Sequence, residues 1–230
     1  PHHENEAAQT RCSSGQNLAK YWMHNGFVNI DGEKMSKSLG NSFFLKDVLK
    51  SYSGEIIRFY LMSAHYRANF NFNEEDLISS KKRLDKLYRI KKRVYGMEAS
   101  IVNAKFKEDI LNALNDDINT SKALSLIDEM ISNANDKLDA NAKDKNLKKE
   151  LIANILFIND ILGIGFNDAY EYFQFGIDEQ TKSKIETLIE KRNEAKKVKD
   201  FATADAVRDE LTILGISLMD TVNGTVWEKL

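Results

Sequence analysis

The sequence predicts a mainly α-helical protein with a mixed N-terminal region, a bundle of long helices and a small α+β tail. One proline and eleven glycines in 230 residues leave little room for frequent turns, so long helices are expected. Hydrophobic residues make up 42% of the chain, which supports packed cores. From residue 74 onward, apolar residues recur with the spacing of one helix face.

The first 66 residues combine short elements with a polar loop. Helical segments are predicted at His2 to Gln9, Phe43 to Leu49 and Glu55 to Ala64. Tyr21 to Ile30 contains short apolar pieces and leads into a turn at Asp31-Gly32. The segment after this turn, 34–40, is rich in lysine, serine and glycine, which favours an exposed loop.

Four amphipathic helices are predicted next. Their apolar stripes are Leu77, Leu84, Leu87 and Val94; then Phe106, Ile110, Leu111 and Leu114; then Ala123, Leu124, Ile127, Met130 and Ile131; and finally Leu147, Leu151, Ile155, Ile158 and Leu162. We expect the first to end near Gly96 and the fourth to end at Gly163. Asn119 or Thr120 is expected to cap the third. Such helices bury their stripes only against each other, which predicts a bundle.

The C-terminal part of the chain predicts a linker, two helices and a hairpin. Residues 166–175 contain five aromatic side chains without a clear period, which indicates a linker that packs against other elements. The two helices carry the stripes Ile185, Leu188 and Ile189, and Phe201, Ala204, Val207, Leu211 and Leu214. Asn223-Gly224 is a strong turn signal, so 216–227 is predicted to form a hairpin, with Trp227 packed on it.

Composition limits the class of protein and its compartment. The net charge of −2 indicates no general attraction to nucleic acid, so any such surface must be local. The single cysteine, Cys12, forms no internal disulfide, which fits a reducing cytoplasm. No apolar run approaches the ~20 residues of a membrane span. The chain begins at Pro1 rather than methionine, so we expect an upstream region to be missing.

Lys34-Met35-Ser36-Lys37-Ser38 is the motif with the clearest chemistry. Two lysines three residues apart on a loop of small residues make a mobile cationic clamp for phosphate. The serines, and the glycine that follows at position 40, let backbone N–H groups approach phosphate oxygens. Without its surroundings, such a pair of lysines is more often part of an ordinary solvated turn.

The five residues together resemble the signature loop of class I aminoacyl-tRNA synthetases, and the flanking 31–33 and 39–41 extend the match. Other segments resemble the cysteinyl-tRNA synthetase family in order and spacing: Pro1 to Glu6, Tyr21 to Val28, Ser63 to Arg67, and the tail from Arg192 to Trp227. The resemblance covers nearly all of the chain. It implies ATP-dependent ligation of L-cysteine to tRNA(Cys) through cysteinyl adenylate, with Mg²⁺ accompanying ATP.

The resemblance also assigns roles around ATP. It implies that Lys37 stabilises the phosphates during adenylate formation, assisted by Lys34, and that Met35 offers its backbone to the adenine. The implied ATP-binding set is Lys37, Met35, Ser36, Ser38, His24, Asn25 and Gly26. The alternative interpretation of His24 is a purely structural role. The HIGH-type histidine loop of the class is absent from this sequence, so we expect the chain to be inactive alone.

The family selects cysteine with a Zn²⁺ ion held by two cysteines, a histidine and a glutamate. The resemblance places the last two at His2 and Glu6, whose spacing puts them on one helical face. The two cysteine ligands are absent here, and Cys12 lies where the family has no ligand. Without the family context, such a histidine and glutamate are more often a surface pair than metal ligands.

Two regions are candidates for RNA binding. Residues 81–93 hold eight basic side chains and one acid, which suits either an RNA backbone or a solvated helix face; the candidates are Lys82, Arg83, Arg89 and Lys92. In the tail, the positions that read the anticodon in the family are matched by Lys196, Phe201, Asp205 and Asp220. The family often has tryptophan where this chain has Phe201, and either ring can stack on a base. Because Phe201 also lies on an apolar stripe, the alternative is that it packs in the core.

These inferences divide the chain into four parts. Residues 1–66 are the C-terminal part of a class I catalytic domain, 67–165 a bundle like the DALR domain, 166–175 the linker and 176–230 the anticodon-binding tail. A cytoplasmic monomer without membrane contact is expected. The alternatives are an RNA-binding module without catalysis, a ligase joining cysteine to an amino-sugar, and a class I synthetase for another amino acid such as methionine.

Overall fold

The computed structural model describes residues 2–30, 33–34, 45–221 and 224–229, with the backbone alone at 33–34. Its elements, in chain order, are α1 (His2–Ser14), β1 (Val28–Ile30), β2 (Glu33–Lys34), α2 (Leu45–Val48), α3 (Gly54–Met62), β3 (Phe70–Phe72), α4 (Glu74–Arg93), α5 (Ala104–Asn115), α6 (Thr120–Ala140), α7 (Lys145–Leu162), a short 3-10 helix (Glu171–Gln174), α8 (Glu179–Lys197), α9 (Phe201–Ile213), β4 (Ile216–Thr221) and β5 (Gly224–Lys229). The predicted mainly helical fold with a terminal hairpin is confirmed.

A small sheet joins the N-terminal region to the start of the bundle. Strand β1 lies between β2, to which it is antiparallel, and β3, to which it is parallel. Gly26 precedes this sheet and approaches the chain after α3 so closely that a Cβ atom there would lie 2.1 Å from the Ala68 carbonyl oxygen. The sequence did not predict the sheet, because three-residue strands are too short to show a period of two.

The bundle is formed by α4 to α7, with α3 packed against α4. All four predicted stripes contribute buried side chains to one core. Each helix has a side-chain cap that accepts a backbone N–H bond from three residues on; the caps are Asn73, Asn103, Asn119 and Asp144. Gly163 adopts the left-handed conformation after α7, at φ 64°. The predictions for Asn119 and Gly163 are therefore confirmed.

A buried carboxylate holds the linker against the bundle. Glu55 on α3 accepts hydrogen bonds from the Tyr88 hydroxyl at 2.8 and 2.9 Å, from the Gly165 backbone N–H and from the Asn167 amide at 2.7 Å. The Tyr172 ring stacks on Tyr88. Burial, with the nearby Glu55 charge, raises the pKa of Tyr88 far above its ordinary value, so this hydroxyl stays a donor. The linker is thus packed, as predicted.

The tail has its own core. Buried residues of α8, α9 and the hairpin form this second cluster, namely Ile185, Ile189, Val207, Leu211, Ile216 and Trp227. Strands β4 and β5 are antiparallel, with Leu218 opposite Trp227 and Thr221 opposite Gly224. This register confirms the hairpin and the packing role of Trp227, while Asn223 lies outside the described residues. In the part of the chain described, no helix has the length and apolar character to cross a membrane.

Candidate functional site

The phosphate-clamp motif lies mostly outside the described residues. Met35, Ser36, Lys37 and Ser38 are not described, and only the backbone of Lys34 is. That backbone belongs to β2 and pairs with Asn29 of β1. The motif therefore begins at the last residue of a strand of the small sheet. The roles of these five residues remain predictions.

The candidate adenylate segment packs between α1 and the loop that follows α3. The His24 Nε2 and His3 Nδ1 atoms lie 2.9 Å apart at hydrogen-bond distance, and the Trp22 ring stacks on His24. The Gly26 N–H donates to the Tyr66 carbonyl at 2.8 Å. His24 and Asn25 are exposed. The exposed side of this segment is free to line a pocket, while its backbone is held by the protein.

The candidate metal ligands lie one helical turn apart at the start of α1. His2 and Glu6 are both exposed, as is Cys12 further along the same helix. Among the described residues, no group of three or more histidine, cysteine or carboxylate side chains could hold a metal ion. Zinc sites in proteins need three or four protein ligands. His2 and Glu6 therefore do not complete a zinc site within the described chain.

The basic side chains of α4 fall into two groups. Members of the first group form ion pairs or hydrogen bonds within the protein. Arg83 contacts Asp128 at 2.7 Å, Lys92 pairs with Glu228, and Arg93 contacts Asp139 at 2.6 Å. The remaining members are Lys81, which pairs with Asp85, and Lys91, which donates to the Gly165 and Asn167 carbonyls. Two of the four sequence candidates, Arg83 and Lys92, therefore already have partners within the protein.

The second group forms an exposed basic stripe of Lys82, Lys86 and Arg89. Their spacings of four and three residues place them on one face of the helix. None of the three forms an ion pair within the described residues, and the Arg89 guanidinium lies 5.7 Å from the centre of the Phe173 ring. Lys86 was not among the sequence candidates. Whether Lys86 can bind phosphate depends on which acidic side chains are already paired with other residues. The spacing of residues in the sequence does not show this.

In the tail, Asp220 is the centre of a charged network. Arg192 donates two bonds to its carboxylate at 2.9 and 3.0 Å, Lys196 donates one at 2.6 Å and the Thr225 hydroxyl one at 2.8 Å. These hydrogen bonds, led by those from Arg192 and Lys196, hold the pKa of Asp220 well below its usual range. The structure thus brings two predicted residues, Lys196 and Asp220, into contact.

Phe201 and Asp205 lie one turn apart on α9, and both are exposed. The Phe201 side chain is 63% exposed, unlike Ala204, Val207 and Leu211 of the same stripe, which are buried. The core role considered for Phe201 is therefore excluded by its exposure. Its ring is available as a stacking surface at the first turn of α9.

Sequence reasoning did not assign Arg192 or Thr225 to the site. The Arg192 side chain is 8% exposed, and Arg192 lies 28 residues from its partner Asp220 in the chain. A buried arginine is rarely left without a carboxylate, but the choice among the many acids of this chain depends on how the hairpin docks.

Comparisons with known proteins agree with these observations. A family model of the class I (C) tRNA synthetase catalytic domain matches residues 1–82, and a model of the DALR domain matches residues 110–167. Curated cysteine–tRNA ligases are similar over 100% of this chain, at 83% identity in Aliarcobacter butzleri, 65% in a Sulfurovum species and 60% in Helicobacter pylori. The match covers 49% of each of these relatives. The chain therefore spans about half the length of the curated relatives it matches.

Proposed function

We propose that this chain supplies the tRNA-binding part of an enzyme that joins L-cysteine to tRNA(Cys). Its sequence matches the C-terminal half of class I cysteine–tRNA ligases. The observation that carries the proposal is the exposed Phe201 ring, close in the chain to Lys196 and on one helix face with Asp205. An aromatic ring left exposed beside polar groups suits a splayed-out RNA base.

The tail face reads the anticodon by stacking and hydrogen bonding. Phe201 stacks on one base, while Asp205 accepts from a base amino group. Asp220 remains ionised and is held in place by Arg192, so its orientation is set before RNA arrives. Lys196 donates to the Asp220 carboxylate at 2.6 Å and helps Arg192 to hold it in place.

The basic stripe binds the phosphate backbone of the same tRNA. Lys82, Lys86 and Arg89 present three charges on one exposed helix face. Such contacts give affinity without reading sequence, and they weaken as salt rises because counterions are released on binding. The two surfaces therefore have different tasks, with the tail supplying selectivity and the stripe supplying affinity.

The chemical step uses ATP with Mg²⁺ and the loop at 34–38. The carboxylate of cysteine attacks the α-phosphate, pyrophosphate leaves, and the tRNA hydroxyl then displaces AMP from the adenylate. Lys37, assisted by Lys34, stabilises the phosphate charge, so positioning and electrostatics suffice without a protein nucleophile. Met35, Ser36, Ser38, His24, Asn25 and Gly26 line the nucleotide side of this site.

Zinc would select cysteine by binding its thiolate, with His2 and Glu6 as two of its ligands and the others supplied from outside this chain. The enzyme would act as a cytoplasmic monomer. Within the described residues this metal site is incomplete.

The test is a titration of the chain with tRNA carrying the anticodon GCA and with the same tRNA carrying an altered anticodon, at two salt concentrations. We expect a preference for GCA that persists at the higher salt, because base contacts are less salt-sensitive than phosphate contacts. Phe201→Ala should weaken binding of both tRNAs by about 1–3 kcal/mol, the range for loss of stacking on one base, because every base offers a ring face to stack on.

Ile213→Ala is the matched control, since Ile213 is an equally apolar and 86% exposed residue at the other end of α9. It should leave the affinity for both tRNAs unchanged. Equal, steeply salt-dependent binding of both tRNAs by the unmodified chain would remove the support for anticodon reading and would favour a non-selective RNA-binding surface.

A further inference from the structure

We propose that Lys92 and Glu228 are positioning residues whose ion pair sets the orientation of the tail relative to the basic stripe, so that one tRNA reaches both surfaces. The proposal rests on the proposed function for its consequence in RNA binding. Its structural part, the orientation of the tail, stands on the contacts of the pair alone.

Lys92 is enclosed by protein. It lies in the last turn of α4, its side chain is 13% exposed, and its ammonium donates to the Glu228 carboxylate on β5. The rings of Tyr170 and Phe173 lie 5.1 and 5.3 Å from the Lys92 Nζ atom. A lysine surrounded by two ring faces and a carboxylate interacts with these groups rather than with solvent. Lys92 is therefore poorly placed to bind phosphate, in contrast to the exposed Lys82.

The pair spans two separately packed units. The core of the bundle and the core of the tail have no member in common. Two further contacts lie near the pair, from the Gln174 amide to the Trp227 carbonyl at 2.9 Å and from the Tyr170 hydroxyl to the Met219 sulfur at 3.0 Å. Because the Lys92–Glu228 hydrogen bond forms only when β5 lies against the end of α4, whereas apolar contact tolerates sliding, the pair favours one placement of the tail.

Helix α4 connects this junction to the other end of the molecule. With 20 residues it is about 30 Å long, since each residue of an α-helix adds about 1.5 Å. At its N-terminal end, the Asn73 N–H donates to the Tyr60 hydroxyl of α3 at 3.0 Å. The basic stripe lies on the same helix between these two ends. Holding β5 against Lys92 therefore holds the whole tail against the helix that carries the stripe.

The first experiment compares tRNA binding by Lys92→Met, Glu228→Gln and the double charge reversal Lys92→Glu with Glu228→Lys, over a range of salt concentrations. We expect each single change to weaken binding of tRNA with the GCA anticodon by roughly three- to tenfold, because two linked surfaces lose effective concentration when their geometry loosens. The double reversal should restore part of the lost affinity, since opposite charges again face each other while the Tyr170 and Phe173 rings lose their cation. The slope of log affinity against log salt should stay unchanged throughout.

A direct phosphate contact of Lys92 gives a different pattern. Lys92→Met would then lower the salt slope by about one, and Glu228→Gln would leave affinity unchanged or raise it. Either result would overturn the proposal. Thermal unfolding of each variant, followed by circular dichroism, checks that the chain remains folded.

The second experiment measures tail orientation without RNA. In a chain with Cys12→Ser, spin labels are attached at Asp136→Cys on α6 and Ile213→Cys on α9, both exposed positions. The distribution of distances between the labels should broaden in each single variant and narrow again in part in the double reversal. Unchanged distributions would overturn the proposal whatever the RNA result. If the unmodified chain binds no tRNA, the proposed function is wrong. The spin-label distances still show whether the Lys92–Glu228 pair orients the tail.

Discussion

At the scale of single residues, Asp220 shows how a charge stabilises the tail. Its carboxylate is bonded by Arg192, Lys196 and Thr225, and the pKa of Asp220 is held below its ordinary value mainly by the first two. A group whose pKa is depressed on folding stabilises the folded state fully above its unfolded pKa of about 3.9. This stabilisation is lost progressively as the pH falls below that value towards the folded pKa.

We therefore expect Asp220→Asn to lower the free energy of unfolding by about 1–2 kcal/mol at pH 7, a figure reduced for solvent screening because the Asp220 side chain is about half exposed. The difference between variant and unmodified chain should shrink as the pH is lowered from about 4 to about 2. Urea unfolding followed by Trp227 fluorescence, in a Trp22→Phe background, measures it. Asp209→Asn, an exposed aspartate of α9, is the control, and a pH-independent difference would contradict the argument.

At the scale of elements, α4 shows three kinds of side chain on one helix. Apolar residues such as Leu84 and Leu87 face the core, paired basic residues such as Arg83 meet α6, and the basic stripe faces outward. Composition alone treats all eight basic residues of 81–93 as equivalent. The packing of α4 against its neighbours separates those that stabilise the fold from those that are free to bind phosphate.

The stripe leads to a prediction about salt. Replacing Lys82, Lys86 and Arg89 together by glutamine should reduce the slope of log tRNA affinity against log salt by about two to three, because up to three phosphate contacts are lost. Lys81→Gln is the matched control, since its ammonium lies 2.8 Å from the Asp85 carboxylate on the same helix. A control that changed the slope as much per charge as the stripe variant would show that the two groups do not differ in RNA binding.

At the scale of the whole molecule, Glu55 joins parts of the chain that are far apart in sequence. Its partners include the Gly165 N–H, which is 110 residues away, and the Tyr88 hydroxyl on α4. The carboxylate thus ties α3, the bundle and the linker together. Because its partners are themselves buried or half-buried, they have no water to replace a missing acceptor.

We expect Glu55→Ala to lower the free energy of unfolding by about 3 kcal/mol, since several buried donors lose their acceptor at once. Guanidinium unfolding followed by circular dichroism measures this loss. Glu98→Ala, an exposed glutamate in the loop before α5, is the control and should change stability by less than about 0.5 kcal/mol. Equal effects of the two substitutions would mean that the Glu55 network contributes little to the fold.

Local information in the sequence determined the helices, their caps and the hairpin. The apolar period places the bundle helices, and the caps Asn119 and Gly163 and the pairing of Thr221 with Gly224 depend on residues close in the chain. Local sequence information did not predict that Phe201 is exposed or that Lys196 pairs with Asp220. Those properties depend on which surfaces meet when the helices and the hairpin pack.

The tertiary structure alone decided which charges are free. Lys92 and Lys82 look alike in the sequence, yet one is enclosed by Tyr170, Phe173 and Glu228 while the other remains exposed. Helix propensity and apolar period act within a few residues of the chain, and so the sequence by itself determined the elements. A long-range ion pair forms only after the two elements dock, and so only the packed molecule determined the candidate binding surfaces.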